Sequence, residues 1–300
     1  MEVITAEIEE TKAISVREKL AAYLELSKPR IAFMLVLTAA AGFYLGAASG
    51  FDIVLFINTT VGITLLAFGV ATLNQVWERK TDALMERTAT RPLPTNKVSF
   101  TEALVFGVSM CLVAEIYLAV LVNALTAILG LIVIVGYVLL YTPLKTKTSA
   151  STAIGAIPGA LPPLMGFTAS ANDITLGAWT LFAMLFLWQF PHFLAIAWMY
   201  REQYSKAGIK MLPVVEPSGK ITARQIVIFT VLLLPVSLVP FFIGMAGWVY
   251  LIGASVLGLW FLAASIKAAR AKSVEQARKL LLVSVIYLPL VFALMVFNHK

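Results

Sequence analysis

The sequence predicts an all-α bundle of about nine membrane-spanning helices, and three observations carry that prediction. Charged residues make up only 13% of the 300, against a hydrophobic share of 60%, whereas soluble domains carry about twice as many charges. Apolar runs of about 20 residues, the length that crosses a hydrocarbon core of about 30 Å, recur along the chain. The 23 Lys and Arg fall on alternate loops, which is how orientation is encoded in a bilayer.

The nine runs are predicted at residues 31–48, 53–73, 98–117, 124–141, 153–170, 176–199, 225–243, 247–266 and 280–297. Before the first of them, residues 1–27 read as a cytoplasmic segment with an acidic start (Glu2, Glu7, Glu9, Glu10) and a short amphipathic helix, VREKLAAYLEL. Such a helix lies in the membrane interface with its apolar face toward the acyl chains. No early basic cluster leads into an apolar run with a small-residue cleavage site, so no signal peptide is predicted. Residues 28–300 then form a single transmembrane domain, opened by SKPRI with Pro29 suited to a helix N-terminus.

Five basic residues precede the first span, and the loops after spans two, four, six and eight hold five, two, five and five. The intervening loops hold none, and Lys300 completes the set. A wrong span count would scramble this alternation. It predicts a multi-pass protein of the cell membrane with a cytoplasmic N-terminus. The net charge of +7 therefore describes one membrane face and needs no nucleic acid to explain it. Cys111 is the single cysteine, inside a span, and His192 and His299 are far apart, so any metal is expected on oxygen ligands.

Most spans are plain. Glu115 is the exception in the third, where an ionisable group is either a site residue or a protonated, interhelically bonded one. The fifth, TAIGAIPGALPPLMGF, carries three prolines and is expected to be kinked or locally unwound. Its Gly155-x-x-x-Gly159 also permits close packing. The sixth ends in LWQFPHFLAIAWMYREQYSK, with Gln189, Pro191 and His192 inside an aromatic-rich helix and Arg201, Glu202, Gln203, Tyr204 and Lys206 at its exit.

The segment from Asn74 to Pro94 carries the chemistry. If the second span continues as a helix, Asn74, Glu78 and Asp82 recur at i, i+4 and i+8 on one face, roughly 6 Å apart along the axis. That spacing suits Mg²⁺, which is held by one or two carboxylates and the oxygens of a substrate phosphate. Arg79, Arg87, Arg91, Lys145, Arg201 and Lys206 lie at helix ends predicted to share the same cytoplasmic face. Cations and Mg²⁺ together would balance a diphosphate and improve it as a leaving group. An apolar interior would take its hydrocarbon tail. An allylic polyprenyl diphosphate is the donor these needs imply.

The pattern Asn74, Glu78, Asp82, Met85, Arg87, Thr88, Arg91, Pro92, Leu93 resembles the first acidic motif of the UbiA superfamily of intramembrane prenyltransferases. SKPRI, YTPLK at 141–145, IGAIPGALPPLMGF at 154–167 and WQFPHFLAIAWMYREQY at 188–204 resemble the branch of that superfamily that farnesylates heme. The similarity runs from about residue 20 to 295. It implies a nine-helix bundle that uses farnesyl diphosphate and Mg²⁺ to place a hydroxyethylfarnesyl group on a vinyl of heme b, giving heme O. It also implies roles: metal on Asn74, Glu78 and Asp82; diphosphate on Arg79, Arg87, Arg91, Lys145, Arg201 and Lys206; catalysis by the metal-binding trio with Glu202 and Tyr204. His192 and Trp198 would meet the heme, and heme A synthase or another heme-handling membrane protein would be a partner. One departure stands out: YREQY carries a single acid where the superfamily's second motif is aspartate-rich, which puts a second Mg²⁺ in doubt.

Two other functions compete with this one. A superfamily member acting on a quinone precursor or other aromatic acceptor would share the donor site. A transporter of an anion would also show a broken helix and a basic vestibule, but needs polar residues on both faces. The outward loops offer little beyond Asp52 and Asp173.

Overall fold

The computed structural model describes residues 14–47 and 50–300. The acidic start of the chain and Lys12 lie outside the described residues. Among the described residues eight helices are long and apolar enough to span a membrane. The ninth expected span is present as two shorter helices. The protein is an all-α integral membrane bundle.

The amphipathic segment forms α1 (Val16–Leu26), started by Ser15, whose hydroxyl accepts from Glu18 N while the Glu18 carboxylate accepts from Ser15 N. Ala22 and Leu26 pack against Val76, Leu93, Val98 and Ala103. Val16, Leu20 and Leu24 face outward, the arrangement of an interfacial helix whose apolar side meets lipid.

The first span is α2 (Pro29–Gly46) and the second is α3 (Ile53–Asp82). At 30 residues α3 is longer than the expected 53–73, and at 1.5 Å per residue it overruns a bilayer core by about 15 Å. That overrun carries Asn74, Glu78 and Asp82 on continuous helix. Asp52 starts it by accepting from Val54 N and Leu55 N.

α4 (Phe100–Leu121) follows, then α5 (Ala124–Leu144). The last third of α5 widens into a π-helix over Val135–Tyr141. Pro143 follows closely and has no N–H to give to the turn before it, and the wider turn relieves its ring of the preceding carbonyl. Thr142 closes the turn, donating from both its N–H and its hydroxyl to the Tyr137 carbonyl.

The fifth span is broken at Ala160 into α6 (Ser151–Gly159) and α7 (Leu161–Ala171). Pro158, Pro162 and Pro163 each remove a backbone donor there. Buried Gln189 donates to the Ala156 carbonyl at 3.1 Å, one turn before the break. α7 crosses α2 at backbone distance, because a Cβ on Gly42 would overlap the Pro163 carbonyl and one on Gly166 the Ala39 carbonyl. Gly155 and Gly159 serve a different purpose from helix-on-helix contact: they make room for the Tyr141 ring and the Gln189 carboxamide.

The sixth span, α8 (Leu176–Met199), has the expected bounds and is the most enclosed of the eight. Short helices α9 (Arg201–Lys206) and α10 (Leu212–Val215) lead from it to α11 (Lys220–Phe242), α12 (Trp248–Ala271) and α13 (Val274–Phe297). One hydrophobic core runs through the bundle, with Leu118, Leu164, Leu181, Leu194, Phe261 and Tyr287 fully buried. Glu115 makes no hydrogen bond from its buried Oε1, which lies against the notch left by Gly130. Cys111 is buried and free.

Candidate active site

Three helix ends meet at the basic face. The Asn74, Glu78, Asp82 series lies on the overrun of α3, and each of the three is engaged by one cation. Lys28 Nζ donates to Asn74 Oδ1 at 2.9 Å, Lys145 Nζ to Glu78 Oε1 at 2.6 Å, and Arg91 to Asp82 Oδ2 at 2.7 Å. The two ion pairs are largely enclosed, with side-chain exposures of 16% and 13% for Lys145 and Glu78 and 18% and 1% for Arg91 and Asp82. Charges held that far from water interact strongly but must be paired.

Local structure places each partner. Arg91 reaches back to Asp82 because Thr88 ties the intervening turn, its hydroxyl donating to the Asp82 carbonyl at 2.8 Å. Lys145 continues the Tyr137, Tyr141 face of α5, and its ammonium lies 4.4 Å from the Tyr141 ring centre. Burial alone would depress that ammonium, but Glu78 outweighs it and holds Lys145 well above its usual range. The Asn74 amide donates to Thr142 Oγ1 at 3.2 Å, joining α3 to the same end of α5. Neighbouring Gln75 donates to the Leu26 carbonyl at 2.7 Å, which pins α1 to α3.

The exit of α8 closes the third side. Lys210 N–H donates to the Lys145 carbonyl at 2.7 Å, and the Gln203 side chain accepts from Arg87 N–H at 3.4 Å. The Arg87 guanidinium rests on the Tyr200 ring. Tyr204 is half-buried and packs with Met85, Ala197 and Ile209. Glu202 and Lys206 are exposed. Arg201 stacks on Trp198, and Arg79 turns away to the Val76 carbonyl and the Phe100 ring.

His192 and Trp198 lie on different surfaces of α8. His192 stacks on Trp188 with ring centres 4.5 Å apart, and its Nδ1 is 2.8 Å from Ser284 Oγ on α13. Ser284 Oγ also lies 2.6 Å from the Leu281 carbonyl; with its proton donated there, the histidine proton sits on Nδ1 and Nε2 keeps its lone pair. Trp198 is buried against Gly219 at the start of α11.

A hard divalent ion fits the α3 series on one specific ground. Asp82 Oδ1 is buried and has no hydrogen-bond partner, although a buried carboxylate oxygen is ordinarily satisfied. Among the described residues no group of three His, Cys, Asp or Glu forms a metal cluster on its own, so a ligand's oxygens would have to complete the coordination, as they do for Mg²⁺.

The sequence pattern missed Lys28, Thr142 and Tyr141. Lys28 reads as a headgroup anchor, and its inward turn depends on a left-handed backbone that the sequence does not announce. Tyr141 and Thr142 were visible only as part of YTPLK.

A membrane bundle that brings this acidic and cationic cluster to one end of its apolar interior is an intramembrane prenyltransferase. The chain belongs to the UbiA prenyltransferase family, whose profile matches residues 35–295. It is 46% identical over 286 residues to a protoheme IX farnesyltransferase of Solibacter usitatus, covering 92% of this chain and 98% of the relative. A protoheme IX farnesyltransferase of Koribacter versatilis is 44% identical over 287 residues, covering 92% and 93%. Solved structures share the fold. A digeranylgeranylglyceryl phosphate synthase structure superposes with TM-score 0.79 at 19% identity over 94% of this chain and 98% of that one. A UbiA homologue from Archaeoglobus fulgidus, bound to GPP and Mg²⁺, gives 0.65 at 17% over 91% and 99%.

Proposed function

We propose that the protein transfers a farnesyl group from farnesyl diphosphate to a vinyl group of heme b, yielding heme O and diphosphate. One observation carries the donor half: the enclosed Asn74, Glu78, Asp82 series engaged by Lys28, Lys145 and Arg91. The acceptor is supported by full-length similarity, at 38 to 46% identity, to relatives named protoheme IX farnesyltransferase. The named prenyl diphosphate and Mg²⁺ in the Archaeoglobus homologue support the donor chemistry.

Asn74, Glu78 and Asp82 would hold Mg²⁺, which when bound screens the diphosphate and improves it as a leaving group. Arg91 and Lys145 then exchange their carboxylate partners for phosphate oxygens, and Arg87 approaches from its place on Tyr200. Arg201 and Lys206, on α9, steer the anionic donor, Glu202 beside them would offer its carboxylate to the metal, and Arg79 is left at the rim. The C–O bond of the donor breaks with its electron pair going to diphosphate. The terminal vinyl carbon bonds to C1 of the farnesyl group, and the cation left on the neighbouring carbon takes up water and releases a proton. The paired rings of Tyr137 and Tyr141, 4.8 Å apart, offer π faces to the allylic cation, and Tyr204 closes the site beside them. His192 presents Nε2 to the heme iron or to the acceptor's proton, and Trp198 holds the end of α8 that carries it.

The site opens on the cytoplasmic side of the cell membrane, as the basic loops indicate, and a heme-handling membrane protein such as heme A synthase takes up the product. The reading is tested by giving purified protein heme b, farnesyl diphosphate and Mg²⁺ and identifying the product by mass. Heme O should form, and chelation should stop it. Turnover of a quinone precursor in place of heme would refute the acceptor.

A further inference from the structure

Lys28 differs from the other two cations of the site in what it is paired with. Lys145 and Arg91 each face a carboxylate, whereas Lys28 faces the neutral carboxamide of Asn74. Its ammonium therefore has no hydrogen-bonded carboxylate of its own, unlike those two. Among the described residues its Nζ makes no other hydrogen bond.

Its backbone is specialised to this end. Lys28 adopts φ 48° and ψ 59°, in the left-handed region that residues with a Cβ rarely visit. It immediately precedes Pro29, the first residue of α2, so the conformation fixes how the chain turns into the membrane. The turn brings the Lys28 ammonium onto the metal-binding series, while Arg30, two residues on, stays exposed. A headgroup anchor would need neither the strained turn nor the inward bond.

We propose that Lys28 is a further diphosphate-binding residue: on donor loading its ammonium leaves Asn74 Oδ1 for a phosphate oxygen, and the same movement frees Asn74 Oδ1 for the metal. This rests on the reading that the α3 series binds Mg²⁺-diphosphate. Lys28 thus holds a metal-ligand oxygen while the site is empty and gives it up only when an anion arrives with the ion. Arg91 and Lys145 make the same exchange at Asp82 and Glu78, so Lys28 adds a third link between metal and diphosphate binding.

The coupling gives effects of opposite sign. In detergent-purified full chain, calorimetry with inorganic pyrophosphate and Mg²⁺ should show binding weakened about 10-fold or more in Lys28→Met, the loss of one charge-assisted bond. Paramagnetic resonance of Mn²⁺ alone should show binding as tight as wild type or tighter, because Asn74 is no longer occupied. Lys28→Gln, which keeps a donor without the charge, should show the same pyrophosphate loss, and Lys28→Arg should keep most of the affinity. Unchanged pyrophosphate affinity in both neutral variants would overturn the proposal. So would an equal loss of Mn²⁺ and pyrophosphate, which marks a structural role. If wild type itself binds no pyrophosphate with Mg²⁺, the reading of the α3 series fails and this inference fails with it.

Discussion

Lys145 Nζ lies 2.6 Å from Glu78 Oε1, joining the end of the π-widened α5 to the overrun of α3 across 67 residues of sequence. Both side chains are mostly enclosed, so neither can be removed without stranding the other. Lys145→Met is expected to destabilise the protein by about 3 to 5 kcal/mol, the cost of leaving one partner of a buried pair uncompensated. Adding Glu78→Gln should restore the thermal midpoint while leaving turnover abolished. Recovery of activity in the double variant would show that the pair is structural only.

Asp82→Asn keeps shape and changes charge. Asp82 is 1% exposed, holds Arg91 through one oxygen and offers the other to no partner. The variant should stay folded and lose turnover by on the order of 100-fold or more, the scale of one preorganised electrostatic contact. Full activity would reduce the α3 series to a solvated helix end. Product mass against farnesyl diphosphate and heme b is the measurement, with the melting curve as control.

How much of this was legible in the sequence differs by element. The apolar runs and alternating basic loops located the spans because lipid imposes length and polarity on each one separately. α8 matched its expected bounds, while α3 overran by nine residues. Hydropathy ended the second span at the polar residues that the helix carries on past the membrane core. The i, i+4, i+8 spacing brought Asn74, Glu78 and Asp82 onto one face because helical periodicity is local. The pairing of those residues with Lys28, Lys145 and Arg91 is tertiary, and nothing in the spacing of basic residues says which cation meets which oxygen. The broken fifth span was foreseeable from its prolines, but its function for Gly155 and Gly159 was not, since their neighbours come from α5 and α8.

The crossing of α2 and α7 gives a stability prediction independent of the chemistry. A Cβ on Gly166 would overlap the Ala39 carbonyl, a backbone atom that cannot swing aside. Gly166→Ala should lower stability by about 1 to 3 kcal/mol, the usual cost of overpacking. Activity should fall only in proportion to the unfolded fraction. Thermal unfolding in detergent beside turnover at low temperature separates the two.

His192 should be separable from the donor site, because its contacts run to α13 and not to α3. Its ring is held by Trp188 and by Ser284, whose Oγ also contacts the Leu281 carbonyl. That arrangement accommodates the tautomer with Nε2 free, which a ligand for iron requires. His192→Ala is expected to remove the Soret shift on titration and to weaken heme b binding by more than the roughly 10 to 100-fold that losing an outer-shell partner costs. Ser284→Ala should cost less, since it frees the tautomer but leaves the imidazole. Pyrophosphate binding with Mg²⁺ should be unchanged in both. A His192→Ala variant that keeps the heme spectrum but loses pyrophosphate would place the residue in the packing of α8 against α13, and would require the heme to be sought elsewhere in the bundle.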